Sequence, residues 1–302
     1  MGQGIVSRLA FMPPEPTYEI HDGHVVWHHD FDIPGDISEK FLMVGREPAF
    51  SLSSLLLGGW ATSASSTSAA ETAPPQIATL HIKHAKNPDN LTILYSHGNA
   101  ENLGLLRMHM YEICQRLQVN VVGYDYTGYG LTLPRKDPNE TDTFLDVEAV
   151  LAYLIADEKV EPKRIIAYGC SLGSGPTCEV VRRHPEVGGM VLHSPLRSCV
   201  RVVKETYLTL WFDMFANQDK IHQISQPCYI FHGSDDRVIH CSHGMDLSQR
   251  AANLWKFWLC KRAGHNDIAQ VDPGNYWINL AEFVAHVRSL SAASLPAPPS
   301  SK

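Results

Sequence analysis

The 302-residue chain has no run of basic residues, no long apolar stretch, no C-x-x-C pair and no internal repeat. Each absence removes a class of function. With a net charge of −7 and no Lys/Arg cluster, it lacks the electrostatic footprint of a protein held to nucleic acid by phosphate contacts. A membrane-spanning helix needs about 18 consecutive apolar residues, and the nearest stretch, Ser54 to Trp60, is far shorter. Met1 to Pro14 holds no apolar segment of the signal-peptide kind, so the sequons at Asn90 and Asn139 read as coincidental. The 7 cysteines, scattered from Cys114 to Cys260, suit reduced thiols in a cytosolic compartment better than a disulfide framework or a zinc site.

What is present is a foldable core. Hydrophobic residues make up 44% of the chain and charged residues 19%, which is enough apolar material for one large α/β domain. Two segments fall outside that pattern. Residues 51–75 are rich in Ser, Ala and Thr and read as a low-complexity insertion, and 291–302 read as a frayed tail. Residues 1–50 then hold an N-terminal segment and first strands, and 76–290 the core of the same domain.

Within the core, short apolar runs alternate with helical spacing. Leu91–Tyr95, Val119–Gly123, Arg164–Tyr168, Gly189–Leu192, Cys228–Phe231 and Trp255–Cys260 have the length and continuity of strands covered on both faces. Phe144, Val147, Leu151 and Leu154 form one helical stripe. Leu105, Met108, Ile113 and Leu117 form a less regular one, and Tyr276–Leu290 reads as a closing helix. Such alternation predicts a mostly parallel sheet with helices on both faces, whose ligand chemistry sits at the carboxyl ends of the strands.

The residues that follow those strands carry the chemistry. Arg164–Tyr168 runs into Gly169-Cys170-Ser171-Leu172-Gly173 and then a helix-like stretch to His184. This is G-x-S-x-G between strand and helix, a sharp turn that lifts a serine hydroxyl above the sheet. A Cβ two residues to either side would collide with the adjoining strand or helix, and both positions are glycine. Alone the pattern is weak, because a glycine turn with an incidental serine looks the same. A serine also needs a base, and the base an orienting acid. The next two strands lead into His232-Gly233-Ser234-Asp235-Asp236 and Ala263-Gly264-His265-Asn266-Asp267, giving Ser, Asp, His in the order this fold uses. Periodicity does not separate Asp235 from Asp236, and Asp267 lies too close along the loop to orient His265. Strand Leu91–Tyr95 leads into Ser96-His97-Gly98-Asn99-Ala100, which puts the Asn99 and Leu172 amides forward as an oxyanion hole, with His97 ordering the loop.

Other patterns in the chain are weaker. His21, His24, His28 and His29 resemble a metal cluster, but no second cluster completes it, and His24–Asp32 reads as an early edge strand. Gly123 to Gly128 lacks dinucleotide-site spacing, and Cys170 should point away from the pocket. No metal or cofactor is expected. Only about 30 residues lie between Pro195 and Pro227, too few for a large lid by ordinary connection lengths. The apolar residues crowded within them read as a mixture of a helix face packed on the core and the lining of an acyl groove beside the serine, with Tyr207, Leu210, Trp211 and Phe215 the groove candidates.

Taken together, Ser96–Ala100, Tyr124–Gly130, Tyr168–Gly173, Leu192–Leu196, His232–Ile239, Ser242–Gly244 and Ala263–Asp267, with Phe11–Tyr18 near the N-terminus, resemble the α/β-hydrolase domain-containing protein 17 family, whose members are protein depalmitoylases. The resemblance implies an α/β-hydrolase fold with a short cap and selects Asp236 as the acid. It places Ser171 and His265 on the nucleophile and base. It implies cleavage of acyl thioesters or esters, with palmitate removed from S-acylated cysteines of proteins. Acylated proteins or lipid-like acyl esters would be the partners, at a cytoplasmic location with peripheral contact to membranes. A lysophospholipase or monoacylglycerol-type esterase, a serine peptidase and a catalytically silent binding module are the alternatives. That family carries an N-terminal cysteine cluster that is palmitoylated, whereas no cysteine precedes Cys114 here. Met1-Gly2 suggests myristoylation, but Val6 stands where the motif has Ser or Thr.

Overall fold

The computed structural model describes residues 10–46, 74–204 and 210–293. Ten strands are described. β1 (Tyr18–His21) and β2 (His24–Trp27) form a separate antiparallel hairpin. The other eight make one sheet: β3 (Ile37–Gly45), β4 (Gln76–His84), β5 (Thr92–Ser96), β6 (Asn120–Tyr124), β7 (Ile165–Cys170), β8 (Gly189–His193), β9 (Cys228–Gly233) and β10 (Leu254–Cys260). Their order is β10-β9-β8-β7-β5-β6-β4-β3. Every pair from β10 to β6 is parallel, and β4 and β3 add an antiparallel edge. This is the mostly parallel sheet that the apolar runs predict.

The reason is burial on both faces. All residues of β5, β6, β7, β8 and β9 are buried, because two apolar clusters sandwich the sheet. One cluster includes Leu94, Val122, Ala167, Leu192 and Ile230, and the other Ile93, Val121, Tyr168, Val191 and Tyr229. Consecutive strand residues divide between the two, as alternation of side chains requires. The covering helices are α1 (Leu103–Leu117), α2 (Glu140–Ala156), α3 (Ser174–Arg183), α5 (Ser242–Arg250) and α7 (Pro273–Ala293), with α4 (Cys199–Val203) and α6 (Ile268–Val271) as short turns. Asn102 and Asn139 cap the starts of α1 and α2, each side chain accepting the amide of the third helical residue.

Two expectations are corrected. His24–Asp32 is not an edge strand of the main sheet. Only His24–Trp27 is a strand, and it pairs back on Tyr18–His21 across Asp22-Gly23, both at positive φ. That is the two-residue Asp-Gly turn whose left-handed geometry matches strand twist. In α1 the buried side chains are Leu103, Leu106, Arg107, Met110, Tyr111, Ile113, Cys114 and Leu117, while Leu105 and Met108 are each half exposed. The inward face is therefore rotated from the stripe read in the sequence. Gln76 begins β4 directly after the 51–75 stretch, and Pro75 accepts a hydrogen bond from the Arg46 amide. The rest of that insertion, and the 294–302 tail, lie outside the described residues.

The reversal in strand order at β5 positions the site. β6 lies on one side of β5 and β7 on the other. The loops after β5 and β7 therefore open beside each other, with Ser96 in register with Gly169.

Candidate active site

Ser171 follows β7 directly and stands at φ 51°. A left-handed conformation costs a non-glycine residue roughly 1–2 kcal/mol, so the surroundings must impose it. The glycines on either side show how. A Cβ on Gly169 would lie 2.5 Å from the Gly173 carbonyl and 2.6 Å from the Thr177 hydroxyl. A Cβ on Gly173 would lie 2.1 Å from the Ser96 carbonyl. The turn thus fits into the angle between the end of β5 and the start of α3 only without those side chains. Gly173→Ala is expected to destabilise the fold by about 3 kcal/mol, the upper end of overpacking costs, because the clash is with backbone. The denaturation midpoint compared with Ser174→Ala checks this.

His265, in the loop after β10, reaches Ser171: its Nε2 lies 2.9 Å from the serine Oγ. Its Nδ1 lies 2.6 Å from Asp236 Oδ2. Asp236 is buried and Asp235 exposed, which resolves between the two aspartates. The Asp235 carboxylate instead takes the Ser234 hydroxyl, and Asp267 accepts the Gly264 amide at the foot of the histidine loop. Four donors surround the Asp236 carboxylate. Beyond His265 they are the amides of Val238 and Ile239, at 2.8 and 2.9 Å, and His232 Nε2 at 3.1 Å. Burial pushes this carboxyl up, but His232, His265 and the Ile239 amide outweigh it and hold it well below the usual carboxylate range. His232 Nε2 also lies 2.8 Å from the Ile239 carbonyl, so that nitrogen carries the proton and donates.

The second loop packs against the serine from the β5 side. A Cβ on Gly98 would be 3.7 Å from Ser171 Cβ. His97 is buried, its Nδ1–H donating to the Gly98 carbonyl at 2.8 Å, and its own carbonyl takes the Tyr126 hydroxyl at 2.7 Å. Glu101 accepts the Gly98 amide at 2.7 Å, which commits that N–H to holding the turn. Asn99 is the next residue, half-buried, and Leu172 lies buried immediately after the serine. Cys170 is buried, and burial drives its thiol well above the ordinary value, so it is no thiolate.

Residues outside the sequence expectations complete the surroundings. His193, at the end of β8 and in register with Cys170, stacks on Phe231 at 4.5 Å and meets the Tyr168 hydroxyl at 3.1 Å. Burial, then the neighbouring His265, pushes its imidazole well below the ordinary value, so it is neutral. His193 bears no local signal, because its contacts join strands far apart in sequence, whereas His232 meets Asp236 and Ile239 within its own loop. His21 and His28 both meet the exposed Glu19. Of the groove candidates, Tyr207 lies outside the described residues. Leu210 is half-buried, Trp211 is 77% exposed and Phe215 is fully buried. Phe215 is thus corrected from a groove wall to a packing residue: its ring lies against Phe11, Phe144 and the backbone position of Gly175.

Comparison with known proteins places the fold. The Pyrococcus furiosus esterase Pf2001 superposes over 92% of this chain and 98% of its own, with TM-score 0.62 at 15% identity. Est1E from Butyrivibrio proteoclasticus, solved with ferulic acid bound, covers 71% of this chain and 96% of its own, with TM-score 0.58 at 15% identity. A family described as serine aminopeptidase, S33 matches residues 87–218. Fold and family together define an α/β hydrolase. Alpha/beta hydrolase domain-containing protein 17C of Xenopus tropicalis is 32% identical over 290 residues, spanning 93% of this chain and 89% of its own. The human 17B protein is 33% identical over 282 residues, spanning 93% and 91%. The chain belongs to the α/β hydrolase domain-containing protein 17 family.

Proposed function

We propose that the protein is a serine hydrolase of long-chain acyl thioesters and esters, and that its physiological reaction removes palmitate from S-acylated cysteines of proteins on the cytosolic face of membranes. The observation that carries the proposal is His265, hydrogen-bonded at once to Ser171 Oγ at 2.9 Å and to Asp236 at 2.6 Å. Ser171 Oγ attacks the acyl carbonyl carbon while His265 Nε2 takes its proton. Asp236 keeps the Nδ1–H tautomer and stabilises the imidazolium that forms. The amides of Asn99 and Leu172 hold the oxyanion, a contribution worth about 3–4 kcal/mol per donor. Collapse of the tetrahedral intermediate breaks the C–S or C–O bond, and His265 returns the proton to the leaving group. Water, deprotonated in turn by His265, then attacks the acyl-enzyme. The fatty acid departs and Ser171 regains its proton.

Support for an acyl substrate comes from family membership and from the connection after β8, where Val203 is 85% exposed and Trp211 77% exposed. All 7 cysteines are unpaired, in keeping with a reducing compartment. No described helix is long and apolar enough to cross a membrane, so any membrane contact made by the described residues would be peripheral.

The test is turnover of three substrates by the purified full chain: a palmitoyl-cysteine peptide, a monoacylglycerol and an aminoacyl amide, each against a Ser171→Ala blank. The thioester is expected to have the highest kcat/KM, by at least tenfold over the amide. Preference for the monoacylglycerol would reassign the protein as a lipid esterase. Preference for the amide would reassign it as a peptidase.

A further inference from the structure

A strap of chain from near the N-terminus runs onto the loop that follows β5. In Phe11-Met12-Pro13-Pro14-Glu15-Pro16-Thr17-Tyr18 three prolines remove backbone donors and restrict φ, so little conformational freedom is lost when it is ordered. Its remaining groups are tied down. Tyr18 donates its hydroxyl to Asp125. Thr17 Oγ1 donates to Asn102 Oδ1 at 2.6 Å, and Asn102 Nδ2 donates to the Glu15 carbonyl at 3.1 Å. The last contacts fall on Asn99. Its Oδ1 accepts the Met12 amide at 2.8 Å, the Tyr129 hydroxyl at 2.7 Å and the Ala100 amide at 3.0 Å. Met12 is 58% exposed, so its backbone rather than its side chain makes the inward contact.

Phe11 carries the second half of the arrangement. It is 5% exposed and packs edge-on to Tyr129, centroids 6.4 Å apart, and to Phe215, 5.9 Å apart. Phe215 in turn lies against Gly175, in the first turn of α3 after the serine. Phe11 therefore lies between Tyr129, whose hydroxyl bonds the Asn99 side chain, and Phe215, which packs on the first turn of α3 three residues after Leu172. A tether serving stability alone could end anywhere on the surface. This one ends on the residue whose amide is assigned to the oxyanion and on the aromatic residues packed beside it.

We infer that Phe11, the Met12 amide and Tyr129 are positioning residues of the reaction, setting the Asn99 amide relative to Leu172 through the Asn99 side chain. The inference rests on the serine-hydrolase assignment and deepens it. Misplacing a preorganised donor lowers transition-state stabilisation without touching ground-state binding. Tyr129→Phe and Phe11→Ala are therefore expected to lower kcat about tenfold each, with KM within twofold of the parent. Phe11→Leu, which keeps apolar volume, is expected to recover most of the loss.

The measurement is kcat per active site on the full chain, with sites counted by the burst of a chromogenic acyl ester, so that unfolded protein drops out of the comparison. The Tyr129→Phe change is repeated in an Asn99→Ala background. There it is expected to cost less than twofold, since the hydroxyl has lost its acceptor. The inference is overturned if kcat per titrated site stays within twofold of the parent in both single variants, if the loss appears in KM, or if the Tyr129→Phe cost is the same in both backgrounds. A burst that survives Ser171→Ala would instead overturn the serine-hydrolase assignment itself.

Discussion

Ser171→Ala is expected to abolish labelling by a fluorophosphonate probe and to lower kcat by on the order of 10^6, the loss seen when a triad nucleophile is removed. The expectation follows from geometry. Cys170 is the neighbouring nucleophilic side chain, and burial keeps its thiol protonated. Ser174 cannot stand in, because its hydroxyl donates to the Ser171 carbonyl at 2.6 Å, locking the first turn of α3. The methyl of alanine fits where the hydroxymethyl was, so the variant should fold with an unchanged denaturation midpoint within about 0.5 kcal/mol. Labelling of folded Ser171→Ala at the parent rate would move the reactive nucleophile to another residue, and no labelling of the folded parent would end the enzyme assignment and leave a hydrolase-fold binding module. A residual turnover above the uncatalysed rate would not, since the oxyanion donors and substrate binding still act.

Much of the site was legible because it depends on short-range constraints. Gly169 and Gly173 bracket Ser171 since the turn tolerates no Cβ there, and such a requirement is written locally. The same holds for the strands β5 to β9. Buried on both faces, they need continuous apolar runs, and those runs stand out. Once strand ends are located, the loops bearing Asn99, Asp236 and His265 follow from where chemistry sits in a parallel sheet.

What was not legible depends on contacts between distant segments. β4 carries Thr79, His81 and Lys83, which interrupt its apolar pattern, yet Thr79 and His81 are buried. His81 is tolerated because Tyr153, from α2, offers its hydroxyl at 3.2 Å. Nothing near His81 in sequence announces that partner. The exposed Leu105 and Met108 made the wrong face of α1 look apolar. The Asp-Gly turn at Asp22-Gly23 was locally written but masked by the histidines around it. Phe215 shows the opposite error. Its neighbours in sequence suggested a groove, while its neighbours in space, Phe11 and Phe144, make it core.

Asp236→Asn is expected to lower kcat by about 10^4, with Asp235→Asn within twofold of the parent as control. Asp236 is surrounded by four donors, from His265, His232, Val238 and Ile239, and an acceptor-only carboxylate satisfies all of them. An asparagine cannot. If its oxygen keeps the Val238 and Ile239 amides, its Nδ2 faces His232 and His265. His265 must then accept at Nδ1 and carry its proton on Nε2, where it can no longer take the proton of Ser171. His232 loses an acceptor, and the opposite tautomer is poorly served because its Nδ1 is buried without a partner. The same crowd of donors sets a pH dependence. The carboxyl is held below its ordinary value in the fold, so the stability it contributes is fully present above the unfolded pKa, about 3.9, and is lost as pH falls through the lower folded value. The stability difference between parent and Asp236→Asn should therefore be flat from neutral pH to about pH 5 and shrink progressively below about pH 4. Denaturation midpoints measured across that range check the sign. A difference that grew with acidity would mean that Asp236 is protonated in the folded enzyme, and it could then not orient His265 as a carboxylate.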